Sequence, residues 1–503
     1  MTKNTRLTLF ISLAILFLIT APIIIFYSLG WRFDFKTKKL TQPGIFYFKV
    51  YPKSVEIYLD NEFKKKTDFF FGSIMIENLS PRKYDIEIRK EGFHTWKKTL
   101  EIKKRQATES KNIILIPKNP IFTTISKEID KLFFSPDQNK IIFKEKNILS
   151  EDSDLLEQTK TEIKTNNTWT LKLFEIEKNI KSQLFSEEDL SHITKSLLDS
   201  EIEEETKIFD LKFSADSKRV LLTLNNFHYI LEIDKSNPIL IKLNFLNSKV
   251  KKVDFNPKDS QKLFALIESE PIHDTSNNDT IKNLKIKSIN EINLSNEEIS
   301  EPIIKNVVSY LVDNKNIYYL DNSGFLFRTD FSFGWTDKLN TTPIEIKEMA
   351  DYQITISPSN VLLKEDQTLY ILNEKEKSLK KISEFIIDFK FSPDFKKIAY
   401  FTKYEVWILF LDKENYDFSE KNNNKLFLTR FSEEINEVYW FTNFYLIFNT
   451  ENKIKIVETD IRNGLNIVNF AEFEQSKIFW NQKNKKLYVL TKNNLYVSDQ
   501  IAP

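Results

Sequence analysis

The sequence predicts a mainly β protein with three parts: an N-terminal transmembrane helix, a small β-sandwich and a β-propeller. Three observations carry this reading. An uncharged apolar run lies near the start, a stretch of period-two alternation follows it, and a short phrase recurs through the last three quarters of the chain. The boundaries that follow are a cytoplasmic tail at 1–6, the helix at 7–29, a linker at 30–42, the sandwich at 43–117 and the propeller at 118–503.

From Leu7 to Leu29 no residue is charged, and Leu, Ile and Phe dominate. That is long enough to cross a hydrocarbon core as a helix and longer than the apolar part of a signal peptide. A cleaved signal is the rival reading, but Pro22 follows the candidate small residue Ala21 and the apolar run continues through Ile23 to Phe26. The count of positive residues gives no clean orientation, since Arg32, Lys36, Lys38 and Lys39 outnumber Lys3 and Arg6. The short amino-terminal tail favours an amino end in the cytoplasm and an exported bulk.

Between Pro43 and Pro117, Val55, Ile57 and Leu59 alternate with polar neighbours, and Tyr84, Ile86 and Ile88 do the same. Each stretch therefore reads as a strand with one buried face, and together they predict a small antiparallel sandwich. Three phrases occur in order: Pro52-Lys53-Ser54-Val55-Glu56-Ile57-Tyr58-Leu59-Asp60-Asn61, Leu79-Ser80-Pro81-Arg82-Lys83-Tyr84-Asp85-Ile86, and Lys90-Glu91-Gly92-Phe93-His94-Thr95-Trp96. This order resembles the PEGA domain, which implies a binding or spacer module of an envelope or surface protein. Ser54, Asn61 and Arg82 stand where that family has Gly. Ser and Asn suit tight or left-handed turns, while Arg82 is strained if its turn needs positive φ. For Phe69-Phe70-Phe71, preceded by Lys64-Lys65-Lys66, the favoured expectation puts Phe69 and Phe71 into the sandwich and Phe70 on its surface. The competing one is a contact with lipid headgroups.

The recurring phrase is an apolar pair, a turn beginning Ser/Asn-Pro-Asp or a relaxed version, then lysines and a second apolar run. It is clearest from Phe391-Ser392-Pro393-Asp394 to Ile398-Ala399-Tyr400. Blade cores fall near Phe134, Phe213, Phe255, Tyr310, Ile356, Phe391, Trp440 and Trp480. Self-similarity at roughly 40 residues, with about four short strands per unit, is the signature of propeller blades. Eight blades are expected, with seven as the alternative. The last blade supplies strands at Lys477–Trp480, Lys486–Leu490 and Leu495–Ser498, and its fourth is expected from Ile121 to Ile125, which leaves no open sheet edge. Rim excursions are expected between Asn147 and Asn167 and around the acidic stretch Glu187 to Glu205. The Glu201 to Glu205 cluster reads as a solvated segment. The blade phrases resemble those of TolB-type and other Ser-Pro-Asp propellers. In that family the phrase shapes the turn between a blade's first two strands, so the resemblance implies a fold and no chemistry.

Composition excludes several classes. Lys+Arg 73 against Asp+Glu 72 leaves no domain-wide basic field for nucleic acid. The absence of cysteine removes disulfides and thiolate metal sites. Gly30, Gly44, Gly72, Gly92, Gly324, Gly334 and Gly464 are too scattered for a phosphate loop, a dinucleotide fingerprint or a nucleophile elbow. His94, His192, His228 and His273 form no zinc motif, His228 reads as a packed strand residue, and Asp321-Asn322-Ser323-Gly324 reads as a hairpin turn rather than a calcium loop. Most of the seven tryptophans sit in strand-like contexts, where packing rather than glycan stacking is expected. No catalytic, cofactor-binding or metal residue can be named, and no cofactor is implied.

The functional expectation is a single-pass, membrane-anchored protein of the cell envelope, extracytoplasmic in bulk. It is read as a binding or scaffolding device acting through propeller loops, not an enzyme. Its partners are the bilayer, through one helix, and a protein or cell-wall glycan, with no nucleic acid. The alternatives are a hydrolase or lyase using acids at a channel mouth, and a glycan receptor.

Overall fold

The computed structural model describes residues 3–34, 38–147, 168–189, 209–224, 227–235, 238–243, 246, 249–269, 286–411 and 424–503. Most of the insertion expected up to Asn167, the cluster Glu201 to Glu205, His192 and His273 lie outside the described residues.

Helix α1 (Lys3–Ser28) carries the apolar run, with a mean hydropathy reaching 2.8, and no other part of the described chain buries it. It is long and apolar enough to cross a membrane, with its backbone groups satisfied internally. A hairpin of β1 (Arg32–Asp34) and β2 (Lys39–Thr41) follows.

Two sheets then share one core. One has the order β6 (Ser73–Leu79), β3 (Gly44–Tyr51), β9 (Ala107–Ile114). The other runs β5 (Glu62–Lys66), β4 (Glu56–Leu59), β7 (Lys83–Arg89), β8 (Trp96–Glu101). The alternating residues meet between them, with Val55, Ile57, Leu59, Tyr84, Ile86 and Ile88 all buried. The purely antiparallel expectation is corrected here, because β3 and β9 pair in parallel, from Ile45 opposite Ala107 to Tyr51 opposite Ile114. The reason is the crossover after β8: the chain changes sheets between 102 and 106 and enters β9 at the end where β3 also begins. Gly44 permits that crossing, since a Cβ there would meet the carbonyl oxygens of Lys103 and Gln106 at 2.6 and 2.7 Å. Ser54 and Asn61 adopt positive φ, as their turns need, whereas Arg82 does not and instead pairs with Asp60. The expected burial of Phe69 and Phe71 fails: Phe69, Phe70 and Phe71 are 73%, 74% and 75% exposed.

The rest of the chain forms a β-propeller. Eight sheets, each a path of four strands, follow one another among the described residues, and one carries an additional short strand. They are numbered first to eighth from Ile129 onward. Their opening strands are Ile129–Phe134, Phe209–Phe213, Val250–Phe255, Val307–Val312, Tyr352–Ser357, Asp388–Phe391, Glu437–Thr442 and Lys477–Asn481. Opening strands of the fourth and fifth, sixth and seventh, and seventh and eighth sheets touch one another, as the innermost strands of a ring do. The eighth sheet is completed by β10 (Phe122–Ser126), antiparallel to Asn494–Ser498 with Phe122 opposite Ser498. The recurring phrase earns its residues locally. Ser392 Oγ donates to Asp394 Oδ1 at 2.5 Å and accepts the Lys397 N–H at 2.9 Å, while Phe395 takes φ 56°. Ser135 with Asp137 and Ser214 with Asp216 repeat the pattern.

The two-sheet unit packs on the seventh sheet. Lys98 and Glu458 form a buried ion pair, Trp96 Nε1 donates to Glu458 Oε2 at 2.8 Å, and Asn466 Nδ2 donates to the Lys97 carbonyl at 3.0 Å. The backbone N–H of Ile114 donates to the Tyr445 hydroxyl at 3.1 Å, and Ile114 and Ile116 join the core around Phe441 and Tyr445. These partners sit at the end of the seventh sheet where its innermost strand finishes. Among the described residues, the other face of the ring, where innermost strands begin, makes no contact with the two-sheet unit.

Candidate functional site at the mouth of the ring

In the second, third and sixth sheets the innermost strand closes on Phe, and by alternation the positions one and three before it fall on the same side of the strand. Leu211, Val253 and Phe389, at the positions between, are buried in the cores. The alternating positions hold Asp210 and Lys212, Lys252 and Asp254, and Asp388 and Lys390. Charge is thereby concentrated around the channel.

The second, third and fourth sheets bring two lysines onto one carboxylate. Lys212 pairs with Asp254 Oδ1, and Lys252 Nζ lies 3.6 Å from Asp254 Oδ2, an oxygen that receives no hydrogen bond. Lys252 Nζ also donates to the Tyr310 carbonyl at 2.5 Å. Burial, reinforced by the Lys212 charge, pushes the Lys252 ammonium down to about 8 against the pull of Asp351. Burial lowers Lys212 as well, opposed by Asp210. A cleft of about 1120 Å³ opens over this pair, lined by Lys212, Lys251, Lys252, Lys287 and Lys347 against Glu268, Glu348 and Asp351. Lys251 is engaged by Glu268 at 3.1 Å and Lys347 by Glu365 at 2.9 Å. Met349, 99% exposed, stands at its rim.

A second cluster occupies the beginnings of the sixth, seventh and eighth sheets. Burial raises the Glu437 carboxyl to about 6, although the Ile478 N–H, Lys477 and Lys390 oppose the shift. Tyr439 is raised too, by burial first and then by Glu437 and Asp388. Lys390 pairs with Asp388 at 2.7 Å. A space of about 640 Å³ beside it is lined by Glu437, Glu451, Gln475 and Lys477. Among the described residues no group of three or more His, Cys, Asp or Glu could hold a metal ion.

The residues singled out in the sequence end in structural places. His228 accepts or donates at Thr223 Oγ1, 3.1 Å away, and burial lowers its pKa. His94 is likewise lowered by burial and by Lys118. Asp321 turns a hairpin, accepting the N–H groups of Ser323 and Phe325. Trp96, Trp169, Trp440 and Trp480 are core residues, whereas Trp335 is exposed. Sequence reasoning named no residue of the lysine mouth. The signal was present in the charged residues one and three places before Phe213, Phe255 and Phe391, but nothing local says which of them become neighbours across the ring.

No protein-family model matches the chain, and no curated protein matches it. Solved structures do. The computationally designed Ika8 protein is 11% identical, with a TM-score of 0.41 over 74% of this chain and 96% of its own. The β-propeller domain of Myceliophteria thermophila Cps50 (Swd1) is 11% identical, with a TM-score of 0.37 over 76% and 100%. An oligogalacturonate lyase in complex with manganese is 9% identical, with a TM-score of 0.38 over 75% and 93%. These likenesses concern the propeller fold, and what those proteins bind or cleave is not carried over.

Proposed function

We propose that this chain is a membrane-anchored, extracytoplasmic binding protein, in which α1 spans the bilayer, a PEGA-like spacer covers 43–117 and an eight-bladed, TolB-type propeller covers 118–503. The cleft receives an acidic segment of a partner protein. The observation that carries this reading is the pair of ammonium groups fixed at the cleft: Lys212 and Lys252 both meet the single buried Asp254, so one carboxylate answers two cations. Part-desolvated ammonium groups already fixed in place bind a carboxylate with less ordering cost than mobile surface lysines do. The two-sheet unit packs on the opposite face of the ring, which leaves the cleft open away from it.

The test is fluorescence anisotropy of a labelled oligoglutamate peptide with the full chain in nanodiscs. Binding should weaken with salt. Lys251→Ala and Lys252→Met should each cost roughly tenfold, about 1.4 kcal/mol. Absence of binding, or affinity indifferent to both substitutions, overturns the reading. Sidedness is tested separately with protease added to intact spheroplasts, where cleavage of the propeller supports an exported bulk and protection reverses it. A second reading, a hydrolase or lyase, is favoured by one observation, the Glu437 carboxyl raised into the range of a general acid beside Tyr439. Turnover of a polysaccharide that Glu437→Gln abolishes would establish it over the binding role.

A further inference from the structure

We propose that the loop between β5 and β6 is a second membrane contact, its three phenylalanines resting among the headgroups and upper acyl chains of the bilayer that α1 crosses. The proposal rests on the reading of α1 as a membrane span.

The loop is built to keep these rings outside. The Asp68 carboxylate accepts the N–H groups of Phe70 at 2.8 Å, Phe71 at 2.5 Å and Ser73 at 2.9 Å. Thr67 anchors the loop's start by exchanging hydrogen bonds with Val55, its Oγ1 accepting the Val55 N–H at 3.0 Å. Gly72, at φ 65°, anchors its end, where a Cβ would meet the Val50 carbonyl at 2.5 Å. The loop is thus folded, and the exposure of Phe69, Phe70 and Phe71 is a property of that fold. Phe63 on β5 and Met75 on β6 are exposed as well, each on the outer side of its own sheet. An uncovered aromatic cluster of this kind marks an interaction surface.

Its place in the fold selects the occupant. Strands β5 and β6 form one edge of the two-sheet unit, and β8 and β9 form the other. The propeller covers the β8–β9 edge through Trp96, Lys98 and Ile114. The hairpin that follows α1 meets this edge at the far end of β6, where Ser80 Oγ, just past β6, donates to Asp34 Oδ2 at 2.6 Å, and in this proposal the β5–β6 edge therefore lies along the bilayer. From that tie to the phenylalanine loop is the length of β6, on the order of 24 Å at ~3.4 Å per residue. An edge lying along the bilayer brings both ends to the surface. Charge agrees with the placement: β5 is exposed throughout and carries Lys64, Lys65 and Lys66, with Lys64 also paired to Glu62 at 2.7 Å. Phenylalanine rings beside lysines suit an anionic headgroup region.

Since the chain contains no cysteine, Phe70→Cys gives a single labelling site. The full-length variant carries an environment-sensitive fluorophore in nanodiscs of phosphatidylcholine and phosphatidylglycerol, with Met349→Cys at the distant rim as reference. The expected result is quenching at position 70 by lipids spin-labelled near the headgroup, several-fold stronger than at 349, together with shielding from aqueous iodide. Equal iodide access at both positions and no lipid quenching, in discs from which carbonate does not extract the chain, overturns the loop contact and leaves the anchor standing. Carbonate extraction would overturn both. Shielding at position 70 that grows with protein concentration but brings no lipid quenching would identify a second copy as the occupant and also overturn the proposal.

Discussion

Replacing Phe122 with Asp should loosen the whole ring, because Phe122 sits on the one strand that joins the two ends of the propeller. In the structure the ring of Phe122 meets Phe473 edge-on at 4.9 Å and Phe470 at 6.2 Å, and its strand is bonded to Asn494–Ser498. Phe122 is partly buried, so truncating it forfeits ~1–2 kcal/mol of apolar burial. The two aromatic pairs add about 1–2 kcal/mol together. A carboxylate against those rings costs on the order of another 1–2 kcal/mol. The total is about 3–6 kcal/mol. At no more than ~2 °C per kcal/mol for a domain this large, the melting temperature should fall by up to roughly 6–12 °C. The assay is near-UV circular dichroism of the full chain in detergent, with Met349→Asp as a fully exposed control expected within about 0.5 kcal/mol of wild type. A Phe122→Asp chain that melts with wild type would refute the claim that this strand closes the ring.

Other outcomes follow from the same coordinates. Lys98→Ala or Glu458→Ala should each cost about 3–5 kcal/mol by stranding a buried charge, whereas the double Lys98→Met, Glu458→Gln variant should recover most of that, as measured by chemical denaturation. Ser392→Ala removes the hydroxyl that accepts the Lys397 N–H and should cost ~1 kcal/mol in the same assay. Glu437 has its folded pKa raised to about 6, so the native state binds its proton more tightly than the unfolded chain does. Its contribution is therefore fully present below the unfolded value and is lost as pH rises through about 6. Glu437→Gln should accordingly gain up to ~2 kcal/mol on wild type between pH 4 and pH 8, read from paired melts, and an unchanging difference across that range would refute the shift.

Much of the fold was legible because its signals are local. Each sheet of the ring solves the same packing problem, so Ser135, Ser214 and Ser392 recur at the head of the same turn, with Asp two residues on closing it by hydrogen bonds within a few residues. Alternation at Val55, Ile57 and Leu59 gave the buried face directly, because successive strand residues face opposite ways. The run from Leu7 to Leu29 was legible from hydropathy alone. Even the ring's closing strand could be matched, since Ile121 to Ile125 resembles the closing strand of other sheets, and the observed strand is Phe122–Ser126.

What only tertiary structure decided lies where distant segments meet. The parallel pairing of β3 with β9 depends on a crossover between sheets and leaves no periodic trace. The run Phe69-Phe70-Phe71 has no polar alternation to set its phase, so Asp68 and Gly72, holding the loop's backbone, decided that all three rings face outward. Lys98 finds Glu458 only once the two-sheet unit docks on the seventh sheet. The lysine mouth is the clearest division between the two. Strand alternation puts Lys212, Lys252 and Asp254 on the channel side, a placement no sequence expectation named, and their convergence required the ring to wrap the second, third and fourth sheets together. The perturbed Lys252 followed from that convergence, since burial and a neighbouring charge are properties of the assembled site and not of any one strand.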